Sequence, residues 1–194
     1  LRTDTDSTAC AVSVAGAVMC WGREITHSGT LGRGPGVASF GDSSGEVPSA
    51  NIIDVGDAAL EARIVYRHAC ALLVGHRMRC WGDNFYLFAS DAHSTSTLFG
   101  NQVPVTSAPL IPEADKIIAF DMSRWAGCAI VERATRNVVR CWGRCLDGIC
   151  GLPAAYASRL AYSASQDIVF NSSAVGISGG QEHFCSLLAS GQLF

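Results

Sequence analysis

Apolar and polar positions alternate in short bursts, and the bursts recur. Val18, Met78 and Val139 each stand two residues before a cysteine (Cys20, Cys80 and Cys141). The position between changes freely, from Met19 to Arg79 and Arg140. Leu193 and Phe194 take the same two places near the end of the chain. A constant apolar position beside a variable one predicts a strand with one buried face. A second alternating burst, itself led by a cysteine, precedes each of these strands. Cys10–Cys20 therefore predicts a hairpin centred near Ala15, with Gly16 at a left-handed turn position. Gly191 holds the same offset after Cys185, Gly75 falls one residue early, and Glu132–Asn137 lengthens the third turn.

The hairpins are copies of one unit. "ACAVSVAGAVMCWG" from Ala9 returns as "ACALLVGHRMRCWG" from Ala69 and "GCAIVERATRNVVRCWG" from Gly127, and "FCSLLASGQLF" opens a fourth copy at Phe184. The leading cysteines, Cys10, Cys70, Cys128 and Cys185, are 60, 58 and 57 residues apart. A period of this size predicts one supersecondary unit repeated. Residues 1–194 read as a single array with units at 10–69, 70–127, 128–184 and 185–194, the last incomplete. Such arrays work by displaying loops rather than by housing one catalytic centre.

Spacing pairs Cys10 with Cys20, Cys70 with Cys80 and Cys128 with Cys141, and leaves Cys145 and Cys150 as a local pair. Cys185 is expected to find its partner past Phe194. Opposed residues on antiparallel strands bring their β-carbons within reach of disulfide geometry. Two alternatives compete: reduced core cysteines, and zinc at Cys141, Cys145 and Cys150. The second lacks a CxxC knuckle and a nearby histidine.

Each hairpin ends in Cys-Trp-Gly, with Trp21-Gly22, Trp81-Gly82 and Trp142-Gly143. A Gly-x-Leu-Gly element follows as "GTLG" (Gly29–Gly32), as "GICG" (Gly148–Gly151), and, delayed and degraded, as "TLFG" (Thr97–Gly100). Next come Val-Pro elements at Glu46 ("EVPSA") and Gln102 ("QVPVT"), then Ile/Val-rich strands at Asn51, Lys116 and Ala174. This order closely resembles the regulator of chromosome condensation repeat over nearly the whole chain. The resemblance implies an all-β fold, a partial β-propeller of about three four-stranded antiparallel blades from a seven-bladed ring. A closed ring at this period needs on the order of 400 residues, so about half is expected to lie elsewhere, and the isolated piece is expected to be poorly soluble or oligomeric. The family's nuclear founder is an exchange factor for a small GTPase. Its disulfide-bearing relatives look more like secreted or cell-surface binding proteins, and paired cysteines suit an oxidising compartment. The expected function is thus a non-catalytic, extracellular, cell-surface or periplasmic scaffold for a protein or glycan. Guanine-nucleotide exchange in the nucleus or cytoplasm is the alternative if the thiols are reduced.

Hydrophobic content of 48% is ample for a core, and no apolar run reaches membrane-spanning length. A net charge of −3 gives no footprint for nucleic acid or an anionic membrane. No cofactor, metal site or catalytic residue is expected. The recurring tryptophans read as packing between blades, and His68 and His183, two residues before a leading cysteine, as structural. Glu182 and His183, taken as neighbours on a strand, would point to opposite faces. Phe85, Tyr86 and Phe88 form the candidate partner-binding loop. Arg63, Arg67, Arg77 and Arg79 read as a solvated edge or the footprint of an acidic partner. The Cys145–Cys150 loop is expected to stiffen a displayed turn.

Overall fold

The computed structural model describes residues 2–3, 8–24, 27–46, 52–89, 92–111, 115–151 and 159–194. The Val-Pro expectation at Val47 and Pro48 lies outside them. Three antiparallel sheets follow in chain order. The first holds β1 (Arg2–Thr3), β2 (Thr8–Val12), β3 (Val18–Arg23) and β4 (Ser39–Phe40). The second holds β5 (Ala59–Val65), β6 (His68–Leu73), β7 (Met78–Asp83) and β8 (Leu98–Phe99), with β9 (Leu110–Ile111) also on β7. The third holds β10 (Lys116–Met122), β11 (Ala126–Glu132), β12 (Val138–Gly143) and β13 (Asp167–Ile168). A two-stranded sheet, β14 (Ala174–Gly179) with β15 (Phe184–Leu188), comes last.

The outermost strand of each full sheet is split along one edge. One piece pairs near the Cys-Trp-Gly glycine: β4 at Gly22, β8 at Gly82, Leu160 at Gly143. The other pairs near the hairpin turn: Ile53 at Val18, β9 at Met78, β13 at Val139. This register corrects one expectation. "TLFG" contains β8, so it is the counterpart of Ser39–Gly41 and not of "GTLG".

Within each sheet the hairpin register opposes the paired cysteines: Cys10 with Cys20, Cys70 with Cys80, Cys128 with Cys141. All three pairs are bonded, as is Cys145–Cys150, while Cys185 on β15 carries a free, exposed thiol. These bonds occupy the sulfurs that the zinc alternative needs. Gly16 takes a positive φ of 81° in the first turn; in the second, Gly75 at 87° and His76 at 64° are both left-handed, with His76 in the place of Gly16. Val18, Met78 and Val139 are buried as the alternation requires, whereas Leu193, which makes a single bridge to Leu187 on β15, is exposed.

Successive sheets are joined by a repeating bond. Each hairpin turn offers a carbonyl (Gly16, His76, Asn137) to the amide that opens the next sheet (Ala59, Ile117, Ala174), at 2.9, 3.0 and 3.1 Å. The first strands β1, β5, β10 and β14 neighbour one another in order, as blades around a shared axis do. The fold is a partial β-propeller. Its sheets are offset by one strand from the units counted between leading cysteines.

Trp81 and Trp142 are fully buried, and each donates its indole N–H to a loop carbonyl of the preceding sheet: Thr30 at 2.9 Å and Phe88 at 3.2 Å. Trp21 in the first sheet is half-buried. The small residues opposite Trp81 and Trp142, Ala69 and Gly127, leave room for the indoles; a β-carbon on Gly127 would meet the Trp142 ring at 2.6 Å. The loop after β12 (Gly148–Gly151) corresponds to the two that carry those indoles. It lines a cavity of about 400 Å³ with Phe170, Ile177 and Phe184.

Candidate functional site

The glycine after each tryptophan sets the geometry of one face. Gly82 has φ 101°, and a β-carbon there would lie 2.3 Å from the Arg67 carbonyl; Gly143 has φ 102° and stands likewise 2.6 Å from the Trp125 carbonyl. Only glycine permits both the left-handed backbone and that approach. The next amides, Asp83 and Arg144, then donate to those carbonyls at 2.9 and 2.8 Å. This clamps the exit of each third strand against the turn between the first two strands of its own sheet.

Three such turns come together. The first, between β5 and β6, carries Tyr66, held at φ 54°, and Arg67. Arg124 and Trp125 lie between β10 and β11, in a turn closed by Ser123, whose hydroxyl accepts the Ala126 amide at 3.1 Å. Gln181 and Glu182 lie between β14 and β15. The Gln181 carbonyl accepts the Arg124 amide at 3.0 Å, and Glu182 accepts the Trp125 indole N–H at 3.1 Å.

The result is a continuous aromatic surface. Tyr66 meets Trp125 edge-on at 5.4 Å, Tyr86 meets Trp125 at 5.7 Å, and Phe85 meets Tyr86 at 4.9 Å. Guanidinium groups lie over the rings: Arg124 is 4.3 Å from the Tyr66 ring and 5.0 Å from Trp125, Arg144 is 5.6 Å from Trp125, and Arg159 is 4.1 Å from Phe85. Arginine over an aromatic ring is attractive and holds both groups in place. Phe85 is 44% exposed, Tyr66, Tyr86 and Trp125 are partly exposed, and Arg159 is exposed.

Several sequence expectations are corrected here. Phe88 is 1% exposed and cannot serve as a surface anchor. Leu87, Phe88 and Ala89 take the places of Gly29, Thr30 and Leu31, with Leu87 at φ 58° supplying the left-handed step, so Phe88 belongs to the interface that receives Trp142. It stacks on His68 at 4.4 Å. His68 is buried with Nδ1 3.1 Å from the Asp83 carbonyl, and burial pushes its pKa down to about 3, so the ring is neutral. The four arginines around the second hairpin do not form a free edge. Arg63 is buried with Glu61 and Asp121, Arg67 pairs with Asp83 at 2.8 Å, Arg77 pairs with Asp57 at 3.4 Å, and Arg79 donates to the Thr106 and Ala108 carbonyls. Glu182 and His183 sit in a turn, ahead of β15.

Tyr66, Arg124, Trp125, Arg144 and Arg159 were not legible as site residues from the hairpin motif. A signal existed: Tyr66-Arg67, Gln181-Glu182 and Arg124-Trp125 all stand four and three residues before a leading cysteine. Among the described residues there is no cluster of three or more metal-ligating side chains, and no helix is long and apolar enough to cross a membrane.

No family model matches the chain, and no curated protein matches its sequence. Solved structures share its fold. Human WBSCR16 superposes with a TM-score of 0.65 at 16% identity, over 94% of this chain and 42% of that one. Yeast RCC1 (Prp20), solved bound to Kap60, gives 0.66 at 15%, over 96% and 41%. The CRINKLY WD40 ectodomain of the Arabidopsis thaliana receptor kinase ACR4 gives 0.52 at 16%, over 96% and 49%. The chain thus spans less than half of each of these propellers, and what they share with it is the architecture.

Proposed function

We propose that the chain is a non-catalytic binding scaffold that engages a protein through the face formed by Tyr66, Trp125, Phe85 and Tyr86. The supporting observation is the meeting of the inter-strand turns with the loop after β7 in one aromatic and arginine surface. Trp, Tyr and Arg are the residues that carry most binding energy at protein interfaces. The clamped turns keep the ordering cost of association low. Four disulfides favour an oxidising compartment, hence a secreted or cell-surface setting. A second reading, nucleotide exchange on a small GTPase, draws on the RCC1-type propeller. Prp20p, solved at 0.62 TM-score and 13% identity, was characterised for its binding to Gsp1p and histones.

Non-reducing peptide mass mapping separates the two. The scaffold reading expects bonds 10–20, 70–80, 128–141 and 145–150 with Cys185 unpaired. Nine free thiols in protein taken from its native source overturn the oxidising setting. Accelerated release of fluorescent GDP from a small GTPase on adding the chain overturns the scaffold reading itself.

A further inference from the structure

The charge on the aromatic face is unbalanced in a chain that is acidic overall. Arg67 is neutralised by buried Asp83. Arg144 has only Asp147, at 3.5 Å, and that carboxylate is 79% exposed. Arg124 and Arg159 have no carboxylate partner among the described residues. The Arg124 Nε is buried out of reach of a ligand, so a carboxylate would be met by the terminal nitrogens of the guanidinium. Stacking on Tyr66 and Trp125 fixes the Arg124 plane, so its charge is presented in a set orientation rather than on a free stem. Glu182, the one carboxylate in the third turn, accepts the Trp125 indole and keeps its charge, so with Asp147 it leaves the three arginines one positive charge in excess.

A fixed guanidinium with unused donors suits a carboxylate, which it can grip with two parallel hydrogen bonds. Arg124 and Arg159 lie around the aromatic platform with no carboxylate partner, Arg144 shares its charge with the exposed Asp147, and the rings of Phe85 and Tyr86 beside them offer apolar contact. We infer that this face takes an acidic protein segment, with carboxylates on Arg124, Arg144 and Arg159 and an apolar side chain against Phe85 and Tyr86. This rests on the binding-scaffold reading and names its partner class. The recognition is electrostatic as well as apolar, so encounter is faster at low ionic strength and binding weakens as salt screens the rim.

Fluorescence anisotropy on the full chain with disulfides intact tests this. The probes are labelled twelve-residue peptides of one template carrying two leucines: an Asp/Glu version, an Asn/Gln version and a Lys version, with heparin as a fourth ligand. The Asp/Glu peptide is expected to bind most tightly and to weaken several-fold between 50 and 300 mM salt. R124Q and R159Q are each expected to weaken it about tenfold, while melting temperatures hold within a few degrees. F85A is expected to weaken the acidic and neutral peptides alike. Equal binding of the Asn/Gln peptide, or no effect of R124Q and R159Q, overturns the acidic assignment and leaves the scaffold standing. Tighter binding of heparin, lost in the same variants, makes the ligand an anionic glycan and overturns the protein assignment. Failure of all four ligands to bind, or binding that F85A and the arginine variants leave unchanged, removes this face from the scaffold reading altogether.

Discussion

Glu24 and Cys145 stand four residues after the second cysteine of their hairpins, and they pin the loop that follows by unlike means. In the first sheet the Glu24 carboxylate, 7% exposed, accepts the Gly29 amide at 3.1 Å and the Leu31 amide at 2.5 Å. In the third sheet the same job falls to the Cys145–Cys150 disulfide, with Cys150 in the place of Leu31. The second sheet uses an intermediate chemistry: Asn84, fully buried, accepts the Ala89 amide at 3.1 Å and donates to the His93 and Ser94 carbonyls. The conserved element is therefore a shape, a loop whose carbonyl faces the next sheet's indole. The residue that holds the shape is free to change, provided the buried amides stay satisfied or the loop is closed covalently.

Substitutions that remove the indoles test the comparison most severely. Trp81→Ala and Trp142→Ala are expected to cost about 3–5 kcal/mol each, as fully buried aromatics. Trp21→Ala, at a half-buried site, is expected to cost clearly less, and urea titration reads all three. An equal loss at Trp21 would mean that the indole-to-loop contact carries no special weight.

The pins come next, and their mechanisms separate. Glu24→Ala leaves buried amides without an acceptor and is expected to cost roughly 2–3 kcal/mol. Glu24→Gln keeps one acceptor oxygen and should recover part of that. The Cys145→Ser, Cys150→Ser double variant is expected to lose about 2 kcal/mol, because a short covalent loop restrains the unfolded chain. Both effects are read without reductant, so that Cys10–Cys20, Cys70–Cys80 and Cys128–Cys141 stay closed throughout.

A smaller, pH-dependent effect belongs to the second sheet. His68 stays neutral in the folded protein down to about pH 3, while in the unfolded chain it binds a proton near pH 6.5. Stability is therefore complete above that range and falls as the pH drops through it, by about 1 kcal/mol between pH 6.5 and 5.5. His68→Gln should flatten this part of a pH–stability profile. The smallest effect is expected at Phe85, 44% exposed. Phe85→Ala should change stability by less than about 1 kcal/mol, because its role is on the surface.

The parts of the molecule that repeat were readable before the structure. Cysteine spacing gave the hairpin register because strand pairing has period two, and a one-residue slip would expose every buried side chain. Val18, Met78 and Val139 marked the buried face for the same reason. What resisted reading was the non-repeating chemistry. Phe88 looked like a loop aromatic because "FYLF" has no glycine to mark it as the equivalent of "GTLG"; Leu87 takes the left-handed conformation in glycine's place. The clue was an offset, since Phe88 and Ile149 both stand eight residues after the second cysteine of their hairpins. The aromatic face was hidden because its members come from inter-strand turns (Tyr66, Arg124, Trp125) and from segments after the third strands (Phe85, Tyr86, Arg144, Arg159) that lie far apart in sequence.

Hydrogen exchange of the indole N–H groups, followed by NMR, tests most directly the claim that each sheet is locked to the one before it through a tryptophan seated on a pinned loop. The Trp81 and Trp142 signals should persist long after those of Trp21 and Trp125 have gone. In Glu24→Ala the Trp81 signal should exchange quickly while Trp142 stays protected. Four indoles exchanging at one rate, or a Trp81 signal indifferent to the loss of Glu24, would contradict the account.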